Sequence, residues 1–178
     1  MTLAETTGRL SKMKVDSMFG KKKHFNAADR KQKYHHRCGV PVIIISVITG
    51  SVLFYIISNG SGAVCTFVKY VSAILAFIAA LLSGLQTYFN FNQSAEGHRS
   101  IASRYLAAYK TADRIIAYIS DGIVKEDEVV RRVECLAEEI NKINCDAEAF
   151  PTNVEDYDKA KEGIKASEEH YTEDELSI

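Results

Sequence analysis

Three residues of types used in acid and base catalysis stand close together in the middle of the chain: Glu96, His98 and Arg99. A carboxylate, an imidazole and a guanidinium could move a proton or hold an anion. On a helix, however, Glu96 and Arg99 are three residues apart and more simply form an ion pair. We expect a structural or interfacial role for His98; the alternative is a response to pH, or an anion site shared with Arg99.

No other group of residues predicts catalysis or metal binding. His35 and His36 are adjacent and point in different directions, which makes a poor metal site. The chain has no GxSxG, P-loop, HExxH, zinc-ligand spacing or glycine-rich phosphate turn. Its four cysteines form neither a CxxC pair nor a disulfide framework, so we interpret them as reduced thiols. The sequence therefore predicts a protein that is not an enzyme and that uses neither cofactor nor metal.

A polar stripe at helical spacing lies near the end of a long uncharged stretch and consists of Ser83, Gln86, Thr87 and Asn90. In hydrocarbon such groups must find partners or water. One interpretation is that they bond to a neighbouring helix or sit at the membrane interface. The other is that they line an aqueous pore in an oligomer. The sequence leaves both open.

Two apolar runs position this stripe. Val40 to Ile57 is uncharged over 18 residues, near the minimum for a helix that crosses about 30 Å of hydrocarbon. Tyr70 to Phe91 is also uncharged, and Gly60 and Gly62 suit a tight reversal between the runs. A chain of 178 residues could hardly bury two such helices in one soluble core. We therefore predict an all-α membrane protein built on a transmembrane hairpin, and reject a cleaved signal peptide because the first run starts late and a second follows.

Small residues recur at intervals of four in both predicted spans. Such spacing lets helix backbones approach closely. The candidate packing residues are Ser46 and Gly50 in the first span and Ser72, Ala76, Ala80 and Gly84 in the second.

The distribution of charged residues along the chain predicts its orientation in the membrane. Residues 1–37 carry ten Lys or Arg against three acids, whereas residues 92–178 carry eleven against twenty. Basic residues flank the spans and none precedes Lys69 in the connecting turn, so we expect both termini in the cytoplasm. We expect residues 1–25 to be a mobile basic arm whose lysines touch anionic lipid; nucleic-acid binding is the less favoured alternative.

The remaining elements are predicted to be helical. A helix capped by Asn26 would lead into the first span, and the second span would continue without a break through an amphipathic helix over 92–120. A further helix over 125–145 carries the heptad-like seam Val129, Val133, Leu136, Ile140 and Ile143. This candidate oligomer seam pairs either with the apolar face of residues 101–119 or with another subunit. A last helix over 153–166, capped by Asn153, precedes an acidic tail over 167–178 that we expect to be disordered.

The order of these parts resembles the SLATT family of bacterial two-transmembrane-helix effectors, which are found with SMODS nucleotidyltransferases and SLOG sensor domains. The similarity runs from about residue 31 to 165. It is strongest in the segment LLSGLQTYFNFNQSAEGHRSIASRY, which holds a Leu-Gln-Thr exit from the membrane and the family-like residues Glu96, His98, Arg99 and Tyr105.

This resemblance implies a single domain over about 26–166 that permeabilises or disrupts the bacterial inner membrane during abortive infection. It implies a homo-oligomeric channel in the lipid bilayer, triggered by a cyclic nucleotide or by a separate sensor protein. The alternative is a membrane-anchored scaffold whose cytoplasmic helices bind a partner. The two differ in whether the polar stripe matters for function.

Overall fold

The structure is a computed structural model that describes residues 3–60, 62 and 64–166. This part of the chain forms five helices: α1 (Leu3–Asn59), α2 (Thr66–Phe89), α3 (Phe91–Ser120), α4 (Glu126–Ala147) and α5 (Val154–Lys165). Two of the described helical stretches are long and apolar enough to cross a membrane, one in α1 and one starting with α2. The all-α prediction with two candidate spans is confirmed.

The chain divides into two compact units. The first, here called the helical unit, draws on Met1–Asp29 and Ala95–Ile178, and the second, the apolar hairpin, comprises Arg30–Ser94. Helices α1 and α3 each contribute to both units. The predicted acidic tail over 167–178 lies outside the described residues.

Residues 3–25 are helical and packed, so the prediction of a mobile arm is wrong for this segment. Leu10 is fully buried, and it belongs to the same core cluster as residues of α3 and α4. The other buried side chains of this segment are polar, which hides its inner face from a search for apolar residues: Thr6, Ser17, Lys21, Lys22 and His24. Because α1 already begins at Leu3, Asn26 lies inside this helix and does not cap it. The Nδ2 of Asn26 donates to the carbonyl oxygen of Asp156 (3.0 Å).

The core of the helical unit is formed by residues of α3 and α4 together with Leu10 of α1. Ala108 and Ala112 are fully buried in it, and larger side chains of both helices fill the rest. The core cluster consists of Leu10, Ile101, Tyr105, Ala108, Ala112, Ile115, Val129, Val133, Leu136 and Ile143. Gly122, with a φ of 66°, allows the tight connection between the two helices.

The sequence predicts that the second span continues without a break into the following helix. In the structure Asn90 interrupts the helix between them. Asn90 caps α2 in the left-handed conformation (φ 41°, ψ 50°), and its N–H donates to the carbonyl oxygen of Gln86. Asparagine tolerates this conformation better than most residues, so a helix can end here without glycine or proline.

Two further local features follow from residue type. Pro41 lies inside α1, where its ring removes one backbone donor. Asn153 caps α5 with a full capping box: its side chain accepts from the N–H of Asp156 (2.9 Å), whose carboxylate accepts from the N–H of Asn153 (3.0 Å). This cap agrees with the one expected from the sequence.

Candidate functional sites in the hairpin and the helical unit

Gln86 joins the two helices of the apolar hairpin. Its Nε2 lies 3.0 Å from Nδ1 of His35, where the amide N–H donates to the ring nitrogen. Gly39 provides the space, since a Cβ at this position would lie 3.1 Å from the same amide nitrogen. The contact explains why an amide is tolerated in this part of the helix. His35 was missed as a partner because it is 51 residues away in sequence.

The other polar stripe residues bond along the chain. Thr87 Oγ1 donates to the carbonyl oxygen of Ser83 (3.0 Å), and Asn90 Nδ2 donates to Gln93 Oε1. These two bonds run to residues three or four positions away, so only Gln86 bonds to the neighbouring helix, as the first interpretation expected. Lining of a pore by the same residues stays a prediction.

A groove of about 390 Å³ lies between the two helices of the hairpin. Hydroxyl groups from both helices reach it, from Ser46 and Thr49 on α1 and from Ser83 on α2. Thr49 Oγ1 donates to the carbonyl oxygen of Ile45 (2.9 Å), so part of this polarity is satisfied within the helix. The full lining is Val42, Ser46, Thr49, Gly50, Leu53, Ala76, Ala79, Ala80 and Ser83.

The predicted small-residue positions only partly coincide with close packing. Ala79, which was not among them, is the buried residue of α2, whereas Ala76 and Ala80 line the groove beside it. A Cβ at Gly50 or Gly84 would meet nothing within 4 Å. Ser72 is half-buried. The small side chains therefore leave open space in the single chain, and their use between chains stays a prediction.

Aromatic rings surround the end of the hairpin that carries Gln86. Phe91 stacks on Phe89 (ring centroids 5.4 Å apart) and packs at a tilt against Tyr34 (5.8 Å). Lys31 Nζ lies 6.0 Å from the Phe91 centroid. Aromatic and basic side chains of this kind are typical of the boundary between hydrocarbon and headgroups. The position of this cluster at a membrane interface stays a prediction.

In the helical unit, His98 forms a buried pair with His24 of α1. The two Nδ1 atoms are 3.0 Å apart, and the residues are only 1% and 2% exposed. One ring must therefore donate through Nδ1 while the other accepts. Burial lowers the pKa of His24 from 6.5 to about 4, with additional contributions from His98 and Lys23, against a smaller opposing effect of Asp156. His24 is therefore neutral at pH 7, and this pair fastens α1 to α3.

One other family-like residue, Tyr105, packs beside this pair. The Tyr105 ring packs against His24 (5.8 Å between centroids) and its hydroxyl donates to Asn144 Oδ1 (2.6 Å). Burial raises the pKa of Tyr105. Gly20 lies against the ring, because a Cβ there would lie 2.9 Å from three ring atoms. The partners from α1 were missed because that segment was expected to be mobile.

Phe150 closes the other side of the pair. Its ring meets the His98 ring edge on (5.7 Å), and a Cβ at Gly97 would overlap the Phe150 ring. His98 is thus enclosed by aromatic rings rather than open to solvent. Arg99 points elsewhere and its Nη2 lies 3.5 Å from Asp29 Oδ1. Glu96 is exposed on the same helix. The geometry gives these residues a structural arrangement and does not gather them into an acid and base site.

The heptad-like seam of α4 is used within the chain. Val129, Val133, Leu136 and Ile143 are buried against α3, and Ile140 is half-buried beside them. The sequence left two partners open for this seam, the apolar face of residues 101–119 or another subunit. In the structure the seam packs against α3, which carries that face. Pairing of the same seam between subunits would require α3 to withdraw.

Candidate metal ligands and thiols are the remaining reactive groups of the described residues. Among them, no group of three or more His, Cys, Asp or Glu side chains could hold a metal ion. Cys38 is half-buried, the three other cysteines are exposed, and none of the four forms a disulfide.

A family model matches most of the chain. The SMODS and SLOG-associating 2TM effector domain, family 4, aligns with residues 8–175. No curated protein and no solved structure matches the chain.

Proposed function

Because this chain belongs to family 4 of the SMODS and SLOG-associating 2TM effector domains, we propose that it acts as a pore-forming or membrane-disrupting effector in a bacterial antiviral system that works by abortive infection. The chain is a membrane protein with two candidate spans. Several copies would assemble into an oligomeric channel in the inner membrane. An upstream nucleotide signal or a sensor protein would trigger it, and no catalytic step is part of the proposal.

The observation that carries the pore proposal is the groove of the hairpin. Ser46 and Ser83 line it, in a segment that exposes many large apolar side chains elsewhere. Polar groups in hydrocarbon are stable only where protein or water covers them. Association of several hairpins through this face would bury the small residues and bring the hydroxyl groups together around water.

The basic residues before the first span support the proposed orientation. Arg30, Lys31, Lys33 and Arg37 precede the apolar part of α1, and the short connection between α1 and α2 carries no charge. Positive charge favours the cytoplasmic side. Both termini would therefore face the cytoplasm, where a nucleotide or a sensor protein could reach the helical unit.

The test compares membrane potential and dye entry in bacteria that express the parent chain or the pair Ser46→Leu with Ser83→Leu, at matched abundance in the membrane, with and without phage infection. Leucine fills the groove without adding charge. Ser51→Leu is the matched control, because Ser51 lies on the same helix, does not line the groove and bonds to its own backbone at Val47. We expect the parent and the control to depolarise the membrane and the pair to leave it intact.

A second pair separates the groove from the polar stripe. Gln86→Leu with Asn90→Leu removes the bond to His35 and the cap of α2. The pair lowers thermal stability in either case, so the readout is depolarisation at matched abundance in the membrane. If the stripe lines the pore, the pair protects the cell; if the stripe only fixes the hairpin, the pair still depolarises the membrane. A parent that never depolarises the membrane contradicts the pore and favours a membrane-anchored scaffold whose helical unit binds a partner.

A further inference from the structure

A cluster of arginines lies on the helical unit away from the buried histidine pair. Arg114 on α3 and Arg131 and Arg132 on α4 line one cavity of about 520 Å³. We call this cavity the arginine groove. Its other lining residues are Thr111, Ile115, Tyr118, Glu128, Cys135, Leu136 and Glu139. The convergence is notable because residues 92–178 as a whole carry eleven basic side chains against twenty acidic ones.

In this structure the carboxylate of Glu128 accepts hydrogen bonds from two of these guanidinium groups. Its Oε1 accepts from Nε of Arg132 (2.9 Å), and its other oxygen accepts from Arg131. The hydrogen bond from Arg132, reinforced by Arg131, holds the pKa of Glu128 below its usual range. One acidic group thus uses donors from two arginines, and Arg114 donates to the neutral hydroxyl of Thr111 (3.2 Å). An external anion with more oxygens than a carboxylate could use all three guanidinium groups.

The groove also offers an aromatic surface and adequate size. Tyr118 is 38% exposed, and the guanidinium carbon of Arg132 lies 5.8 Å from its ring centroid. A neighbouring cavity of about 570 Å³ shares Tyr118, Glu128 and Arg132 and adds Lys125. Pockets for small molecules commonly measure about 300–1,000 Å³. Cations beside an exposed ring suit a ligand that joins phosphate groups to an aromatic base.

We propose that the arginine groove binds a nucleotide, with its phosphate groups on Arg114, Arg131 and Arg132 and its base on Tyr118. Binding displaces Glu128 from the two arginines of α4. The groove lies between α3 and α4, so the ligand contacts both helices of the core of the helical unit. The inference rests on the proposed function in one respect, that nucleotide binding would be the trigger of the pore. The binding itself can be measured whether or not the chain forms a pore.

Cys135 provides the reporter, because its exposed thiol lies in the groove. In the full chain in lipid nanodiscs, the other three cysteines are replaced by serine and the rate of alkylation by a maleimide is measured with ADP, cyclic AMP, cyclic di-AMP, inorganic pyrophosphate or adenosine. A chain that keeps only the exposed Cys145, which does not line the groove, is the matched control. We expect at least one of the three nucleotides to slow alkylation of Cys135 several-fold and to leave Cys145 unchanged.

Variants identify the residues responsible. Arg131→Gln with Arg132→Gln should raise the nucleotide concentration needed for protection by about tenfold or more, because each charge-assisted hydrogen bond lost is large enough for that change. Arg104→Gln is the control: it removes an exposed arginine that pairs with Asp146 (2.5 Å) outside the groove. Tyr118→Leu should weaken protection by the nucleotide, and Tyr118→Phe should restore it. Thermal melts check that each variant is folded.

Several outcomes overturn the inference. It is wrong if none of the three nucleotides protects Cys135 at millimolar concentration, or if protection survives in the double arginine variant. Equal protection by pyrophosphate removes the nucleoside from the proposal, because Tyr118 would then have no role. If the groove binds nucleotide but the chain never depolarises the membrane, the proposed pore is wrong and the nucleotide site is still supported.

Discussion

Lowering the pH should loosen the attachment of α1 to α3 through the buried histidine pair. The pKa of His24 falls from 6.5 to about 4 on folding, chiefly because burial disfavours the charged ring. Between these two pH values His24 is protonated in the unfolded chain and neutral in the folded chain. The contribution of neutral His24 is therefore fully present above about pH 6.5 and is lost as the pH falls toward 4.

The size of the effect follows from the two pKa values. A shift of one unit corresponds to about 1.4 kcal/mol, so lowering the pH from 7.5 to 5 should cost the helical unit about 2 kcal/mol of unfolding free energy through His24 alone. For a unit of this size, that corresponds to a fall in Tm of about 5–15 °C.

Thermal unfolding of the full chain in lipid nanodiscs, followed by circular dichroism, measures this fall. The comparison is with His24→Gln, whose amide can still bond to His98 but takes up no proton in this range. Titrating groups away from the pair contribute equally to both proteins, and His98 is coupled to His24, so the difference between their Tm values reports the histidine pair. We expect the parent to lose more stability than the variant between pH 7.5 and 5.

An equal loss in both proteins would refute this reasoning. It would mean that His24 is charged in the folded chain at ordinary pH, or that the segment of α1 before the span is not packed on α3. Hydrogen exchange of the amides of residues 10–28 decides between these two cases, because an unpacked segment exchanges quickly at every pH.

Two further variants test the packing of the helical unit. Gly97→Ala should destabilise it by about 1–3 kcal/mol because the added methyl group overlaps the ring of Phe150, whereas Gly8→Ala, where a Cβ meets nothing, should be neutral or slightly stabilising; equal Tm values for the two variants would contradict the contact. Asn153→Ala should cost about 1 kcal/mol through loss of the capping box of α5, measured by urea titration, while Asn153→Asp, which keeps an accepting oxygen, should retain most of the stability.

The sequence predicted the elements whose signal is local. Uncharged stretches of sufficient length located the hairpin, and Asn153 before an acidic turn located the start of α5. The first half of α1 escaped prediction because, apart from Leu10 and the small Ala27 and Ala28, its buried side chains are polar: Thr6, Ser17, Lys21, Lys22 and His24. One large apolar side chain gives too weak a signal in a search for apolar periodicity.

The sites that were missed depend on contacts between distant parts of the chain. His98 and Gln86 could be recognised as polar residues that need partners, but their partners, His24 and His35, lie 74 and 51 residues away. The seam of α4 was visible as a pattern, but a one-dimensional pattern is the same whether its partner is α3 or another subunit. Only the packed structure distinguishes these.

Pro41 leaves one backbone oxygen of α1 without its usual partner. Because proline has no N–H, the carbonyl oxygen of Arg37, one turn earlier, lacks its helical donor. Within a membrane such an oxygen must be satisfied by water, by a side chain or by a local change in the helix. Together with the charge of Arg37, this favours a membrane boundary near Pro41. From Pro41 to Asn59 the helix rises about 27 Å, close to the thickness of a bilayer core, so the segment after the proline is by itself long enough to span.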